Sequence, residues 1–213
     1  MDDTLDLSAS VDSGLSIHPL YSNSGQLKIM HLNTQSMVST FNELLLTVNS
    51  YPLHIVALSE TWLRDQPQLL DYVSIPGFVT EFWNRECIRG GGVGVYIKEN
   101  INYKHRRDTE NAHPELEHLW IEVPGCNKYS RALVGVIYNF ECMLSPSDWL
   151  NSLENLLGYL TVYWDGMLIL TGDVNMDMLR PSDHLTKRYQ GILDMLELTQ
   201  IVKRPTHDHL LHG

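Results

Sequence analysis

The chain has 213 residues, 43% of them hydrophobic, with 26 acidic side chains against 15 basic and a formal charge of -11. That length suits one sizeable domain rather than two, and the acidic balance argues against a broad electrostatic grip on nucleic acid, which needs Lys and Arg to neutralise phosphate. Three scattered cysteines, Cys87, Cys126 and Cys142, fit a reducing compartment; with no membrane-length apolar run and no secretory start, a nuclear or cytoplasmic location is expected, not a secreted one.

Residues 1–24 are rich in Ser, Asp and Gly and show no sustained apolar period, so they read as a disordered leader ahead of a domain over 25–213. Residues 27–32 read as a buried strand, and 41–48 as a helix with Thr40 as its cap. A second buried strand follows at 54–58 and ends on Ser59-Glu60. A loop with turns at Gln66-Pro67 and Pro76-Gly77 leads to a strand over 78–83, then to Gly90-Gly91-Gly92 and an alternating strand at 93–97. Residues 116–123 and 131–138 are further strands, 146–163 a helix with an apolar stripe, and 167–170 a strand running into Thr171-Gly172-Asp173. A last helix is expected at 185–196 and a strand start at 199–202. This order is neither a strict β-α alternation nor all-β; it predicts an α+β fold, two packed mixed sheets with helices outside.

Four of these strands end in polar residues that an apolar run gives no reason to expect: Asn33, Glu60, Tyr138 with Asn139, and Asp173 with Asn175. Singly, each is an ordinary turn former or packing residue. Together the strings HLNTQS, ALSETWL, GGGVGVYI, GVIYN and LTGDVNMD, in this order, resemble the endonuclease/exonuclease/phosphatase superfamily, and within it the apurinic-like endonuclease domains of LINE-type (non-LTR) retrotransposons. The resemblance runs from about Leu27 to about His207.

The resemblance implies a four-layer sandwich and metal-dependent phosphodiester hydrolysis, with DNA nicking as the activity. It makes Glu60 the principal ligand of a Mg²⁺ or Mn²⁺ ion, with Asn33 beside it; a hard cation of this kind takes oxygen ligands and keeps several waters. Asp173 would orient or deprotonate the attacking water, Asn175 would donate to the scissile phosphate, and Tyr138 would bond a phosphate oxygen or the leaving side. Thr206 matches the family's Thr near the phosphate, and the adjacent Lys203 and Arg204 are the basic pair best placed for DNA backbone. The partner of such a domain in a full-length parent is a reverse transcriptase.

Two departures accompany the match. The family continues past its Thr with a Leu-Asp strand and a terminal Ser-Asp-His, so the domain is expected to be incomplete at its C-terminus, with its last strands missing. An alternative function is therefore an inactive, truncated or domesticated remnant serving at most as an interaction module. The local Ser182-Asp183-His184 reads as a helix-capping loop, not as the terminal triplet. Asn139 stands where many relatives carry Arg. The Lys104-His105-Arg106-Arg107 and Lys187-Arg188 clusters read as solvated surface, and His207, His209 and His212 as a frayed end, not a zinc site.

Overall fold

The computed structural model describes residues 16–18, 27–85, 90–140, 143–178, 180, 182–203 and 206. Among these described residues, nine strands form two mixed sheets. The first sheet holds β1 (Ser16–His18), β2 (Ile29–Asn33), β3 (Ile55–Ser59), β4 (Phe78–Trp83) and β5 (Val93–Lys98), in the order β1-β2-β3-β5-β4. The second holds β6 (Lys104–His105), β7 (Glu117–Val123), β8 (Ala132–Tyr138) and β9 (Met167–Asp173), in chain order. The helices are α1 (Met37–Ser50), α2 (Pro67–Tyr72), α3 (Arg107–Ala112), α4 (Pro146–Tyr163) and α5 (His184–Met195).

Side chains alternate across a strand, so each sheet buries two different sets of residues. Between the sheets, Ile29, Ile55, Ala57, Val93 and Val95 meet Leu119, Ile121, Val134, Val136 and Tyr138. The other face of the first sheet packs Met30, Leu32, Val56 and Leu58 against Phe41 and Leu44 of α1. The other face of the second packs Trp120, Leu133 and Ile137 against the stripe Trp149, Leu153, Leu156, Leu157 and Leu160 of α4 and against α5. Three apolar layers thus separate four layers of backbone, the sandwich the sequence predicts.

The pairing directions decide where a site can form. β2 runs parallel to β3, and β8 parallel to β9. Parallel neighbours finish at the same end, so all four strand C-termini lie on one rim, two from each sheet.

Several expectations need correction. α1 begins at Met37, not after Thr40, because the N–H groups of Ser36 and Met37 donate to the carbonyls of Glu60 and Thr61 at 3.0 and 2.8 Å, which satisfies the helix start from a distant segment. Pro67, read as a turn, opens α2 at its first helical position. Residues 199–202 form no strand. Ser16–His18, inside the expected leader, pair antiparallel with β2; the rest of 1–24 lies outside the described residues. His105, read as surface, is enclosed between Glu81 and Glu110. Asp183 caps α5 by accepting from the N–H groups of Leu185 and Thr186, as expected of that loop.

Candidate active site

On the face between the sheets, the inward stripes Ile29-His31-Asn33, Val134-Val136-Tyr138 and Ile169-Thr171-Asp173 each change from apolar to polar as they reach the rim. Asn33 pairs across the backbone ladder with Ser59, next to Glu60, and Tyr138 pairs with Asp173. The rim therefore brings together five of the residues the sequence singles out: Asn33, Glu60, Tyr138, Asp173 and Asn175.

Asn33 is the hinge of this group. Its amide nitrogen donates to Glu60 Oε1 at 2.7 Å and to Asp173 Oδ2 at 2.7 Å, so one carboxamide joins carboxylates from the two sheets. The buried Tyr138 hydroxyl bonds Glu60 and Asn175, and burial together with the Glu60 charge pushes its ionisation well above the usual phenol range. Tyr138 is therefore a neutral donor. Asp173 Oδ1 accepts from the Asn175 backbone N–H at 3.0 Å, and the Asn175 amide donates to the Asn139 carbonyl at 2.6 Å. Asn139 is buried and structural: its own amide donates to the Val174 carbonyl at 2.9 Å.

Two backbone features mark strain here. Glu60 has φ 54° and Asn175 φ 49°. Asn tolerates the left-handed region; Glu does so only when its surroundings force it. The Glu60 carbonyl accepts from Thr34 Oγ1 at 2.8 Å and from Ser36 N–H at 3.0 Å, which fixes the turn. Beneath the rim, His31 bonds Ser59 Oγ at 3.2 Å. Burial lowers its imidazole to about 4 against the opposing pull of Asp173, so it is neutral at physiological pH.

Neither Glu60 nor Asp173 forms an ion pair among the described residues. Two carboxylates held against one amide, without a protein cation, fit a bound cation electrostatically. No three His, Cys, Asp or Glu side chains cluster to hold a metal among the described residues. The donor set is sparse and all oxygen: two carboxylates, joined by the Asn33 carboxamide oxygen only when the amide turns over from the Gln35 N–H, from which that oxygen accepts at 3.2 Å. Such a set suits a hard ion that retains water better than zinc.

Lys203 and Thr206 are exposed beyond α5. Arg204 lies outside the described residues, as do Cys87, Cys142, His207, His209 and His212. The sequence reading missed Arg85 and Glu117, a buried ion pair at 2.5 Å behind the triple glycine. A readable signal existed for Glu117: a charge in phase with the inward Leu119 and Ile121 needs a buried partner.

This four-layer architecture is shared with solved endonucleases and a phosphatase. Solved structures with the same fold include the endonuclease domain of TRAS1, a telomere-specific non-LTR retrotransposon, with TM-score 0.56 and 12% identity over 80% of this chain and 70% of that one. The AP endonuclease LMAP of Leishmania major gives TM-score 0.66 and 14% identity over 80% and 66% of the two chains. The 3′ phosphatase NExo from Neisseria, solved bound to a product DNA hairpin, gives 0.54 and 17% over 79% and 71%. The chain thus spans 66–71% of the length of these structures. No protein-family model matches the sequence, and no curated protein does.

Proposed function

We propose that residues 25–213 belong to a metal-dependent, DNA-nicking endonuclease domain of a LINE-type retrotransposon. The reading rests on one arrangement: the Asn33 amide held at 2.7 Å from both the Glu60 and the Asp173 carboxylate, with Tyr138 and Asn175 beside them. Its likeness to the TRAS1 endonuclease domain and to AP endonucleases supports it.

Glu60 and Asn33 would hold a Mg²⁺ or Mn²⁺ ion, which when bound supplies positive charge beside the substrate phosphate. Asp173 takes a proton from the attacking water as the new P–O bond forms; the ester P–O bond breaks with its electron pair on the leaving sugar oxygen, which takes a proton from solvent. The Asn175 amide and the Tyr138 hydroxyl now donate within the cluster; the phosphate takes over these donors, which are neutral and already oriented. Lys203, Arg204 and Thr206 contact the DNA backbone locally, because a chain of charge -11 has no broad basic surface to offer. In a longer parent protein, the domain precedes a reverse transcriptase and works in the nucleus or cytoplasm.

A second reading, an inactive remnant that acts as an interaction module, draws on the same cluster: the Asn175 amide is already satisfied by the Asn139 carbonyl at 2.6 Å. Supercoiled plasmid separates the two. Nicked circles form with Mg²⁺, vanish in EDTA, and fall by about 10²-fold or more in Glu60→Ala. Nicking by Glu60→Ala at the wild-type rate refutes the endonuclease reading. Metal binding without nicking, by this chain and by one extended in frame past Gly213, selects the remnant.

A further inference from the structure

The strained turn at Glu60 is braced from two sides. On one, Thr34 and Ser36 hold the Glu60 carbonyl. On the other, the Thr61 N–H donates to the Gly92 carbonyl at 3.2 Å and the Trp62 N–H, at φ 53°, to the Gly91 carbonyl at 2.9 Å. The triple glycine is thus the second wall of the turn that carries Glu60.

What fixes the glycines is charged and buried. The Gly92 N–H donates to Glu117 Oε1 at 3.0 Å, and the same oxygen accepts from Arg85 Nε at 2.5 Å. Glu117 is 2% exposed and Arg85 7%. The Arg85 guanidinium lies 4.2 Å over the Phe140 ring. No side chain fits between these parts: a Cβ on Gly91 would stand 2.6 Å from Arg85 Cζ, and one on Gly92 2.5 Å from Thr61 Oγ1.

As a stabilising device the pair is poor. Arg85 Nη1 and Nη2 and Glu117 Oε2 are buried without hydrogen-bond partners among the described residues. A buried ion pair with unfilled hydrogen-bonding groups gives little net stability, since desolvation cancels its attraction. Its consequence lies in what it holds in place.

We propose that Glu117, itself held by Arg85, is a positioning residue for Glu60: its Oε1 anchors Gly92, and the glycine segment in turn sets the turn that aims the Glu60 carboxylate at Asn33. This rests on the reading of Glu60 as a metal ligand.

Two double variants test it, Arg85→Met/Glu117→Gln and Arg85→Met/Glu117→Leu. Both remove the buried charges, and only the first keeps an acceptor for the Gly92 N–H. Mn²⁺ affinity is read by calorimetric titration, and the melting temperature in EDTA is read beside it. The Gln double variant binds Mn²⁺ within about threefold of wild type, and the Leu double variant about tenfold or more weaker, the range for groups that orient metal ligands. The Leu variant nonetheless melts no lower than the Gln variant, which separates positioning from general damage. Equal Mn²⁺ affinity in the two overturns the inference. If the Leu variant does not fold, the folded Gln variant decides: retained affinity upholds the inference, and a loss beyond about tenfold overturns it. A wild-type chain that binds no Mn²⁺ overturns the metal-site reading itself, and the inference with it.

Discussion

Replacing Glu60 by Gln removes one negative charge from the rim and leaves the shape of the site almost unchanged. The Gln oxygen can still accept from Asn33, and the backbone at φ 54° is strained equally in both proteins, so that cost cancels. The larger difference is repulsion, set against weaker bonds from Asn33 and the Tyr138 hydroxyl to an uncharged side chain. Glu60 Oε1 and Asp173 Oδ2 each lie 2.7 Å from the same Asn33 nitrogen, so they stand within twice that distance of one another. Coulomb's law at that separation gives about 3 kcal/mol at an effective dielectric of ~20 and about 0.8 kcal/mol in water. Both side chains are partly exposed, which places the repulsion between these limits, at about 1–2 kcal/mol.

Glu60→Gln is therefore expected to be more stable than wild type without metal, melting about 2–8 °C higher in EDTA for a chain of this size. Mg²⁺ should reverse the comparison. A wild-type site at ten times its dissociation constant gains about 1.4 kcal/mol, and the variant, without its principal carboxylate, gains little. Thermal unfolding followed by circular dichroism, with EDTA and then with Mg²⁺, reads both effects on the same samples. A variant that melts below wild type in EDTA, or that gains as much from Mg²⁺, refutes the reasoning.

Asn33→Asp exchanges the bridging donor for a third carboxylate between Glu60 and Asp173; unfolding in EDTA should show a loss of about 2–4 kcal/mol, partly restored by Mg²⁺. His105 bonds Glu110 at 2.7 Å and Glu81 at 3.0 Å, and the bond to Glu110 leads in raising its imidazole above the usual 6.5. Because the folded-state value is raised, this stability is full below 6.5 and fades as pH rises through that higher value. His105→Gln should thus cost about 1.5–3 kcal/mol in urea unfolding at about pH 5.5 and clearly less at about pH 9; equal losses at both refute the ion-pair account. A Cβ on Gly135 would stand 2.3 Å from Cζ3 of the fully buried Trp120, so Gly135→Ala should lose about 1–3 kcal/mol. Gly158, inside α4 with nothing within 4 Å, makes the control: Gly158→Ala should gain about 0.5–1 kcal/mol by the same denaturant assay.

Much of the fold was legible because its strands are apolar runs and its longest helix carries both stripe and stop signals. α4 runs from Pro146 to Tyr163 as read, capped by Ser145, whose hydroxyl accepts from the Asp148 N–H. The rim was legible for a related reason: polar residues at the ends of apolar strands are conspicuous in sequence, and five of them, from four strand ends, meet. What stayed hidden depends on contacts distant in sequence. α3 is Arg-Asp-Thr-Glu-Asn-Ala, which has no apolar face; it is tied down by Glu110, which bonds His105 and the Trp120 N–H. The true start of α1 depends on carbonyls of Glu60 and Thr61. Arg85 and Glu117 sit 32 positions apart, and only folding makes them partners. In 199–202, Thr199 and Ile201 are exposed, so β-branched residues alone do not make a strand without a neighbour to pair with.

The rim and the layers beneath it answer to different physics. The three apolar clusters follow from alternation and helical stripes, and they hold without any help from Asn33, Glu60 or Asp173. The rim collects like charges, a Glu and an Asn in the left-handed region, and hydroxyl and amide donors turned on one another. Asn33 comes from one sheet and Asp173 from the other, so the 2.7 Å contact between them reports the spacing of the sheets. That spacing is set below the rim by Ala57 and Ile29 against Val134 and Val136. A core substitution there, far from any charge, would act on the centre by moving one carboxylate relative to the amide it shares, because close-packed interiors pass a displacement on rather than absorb it.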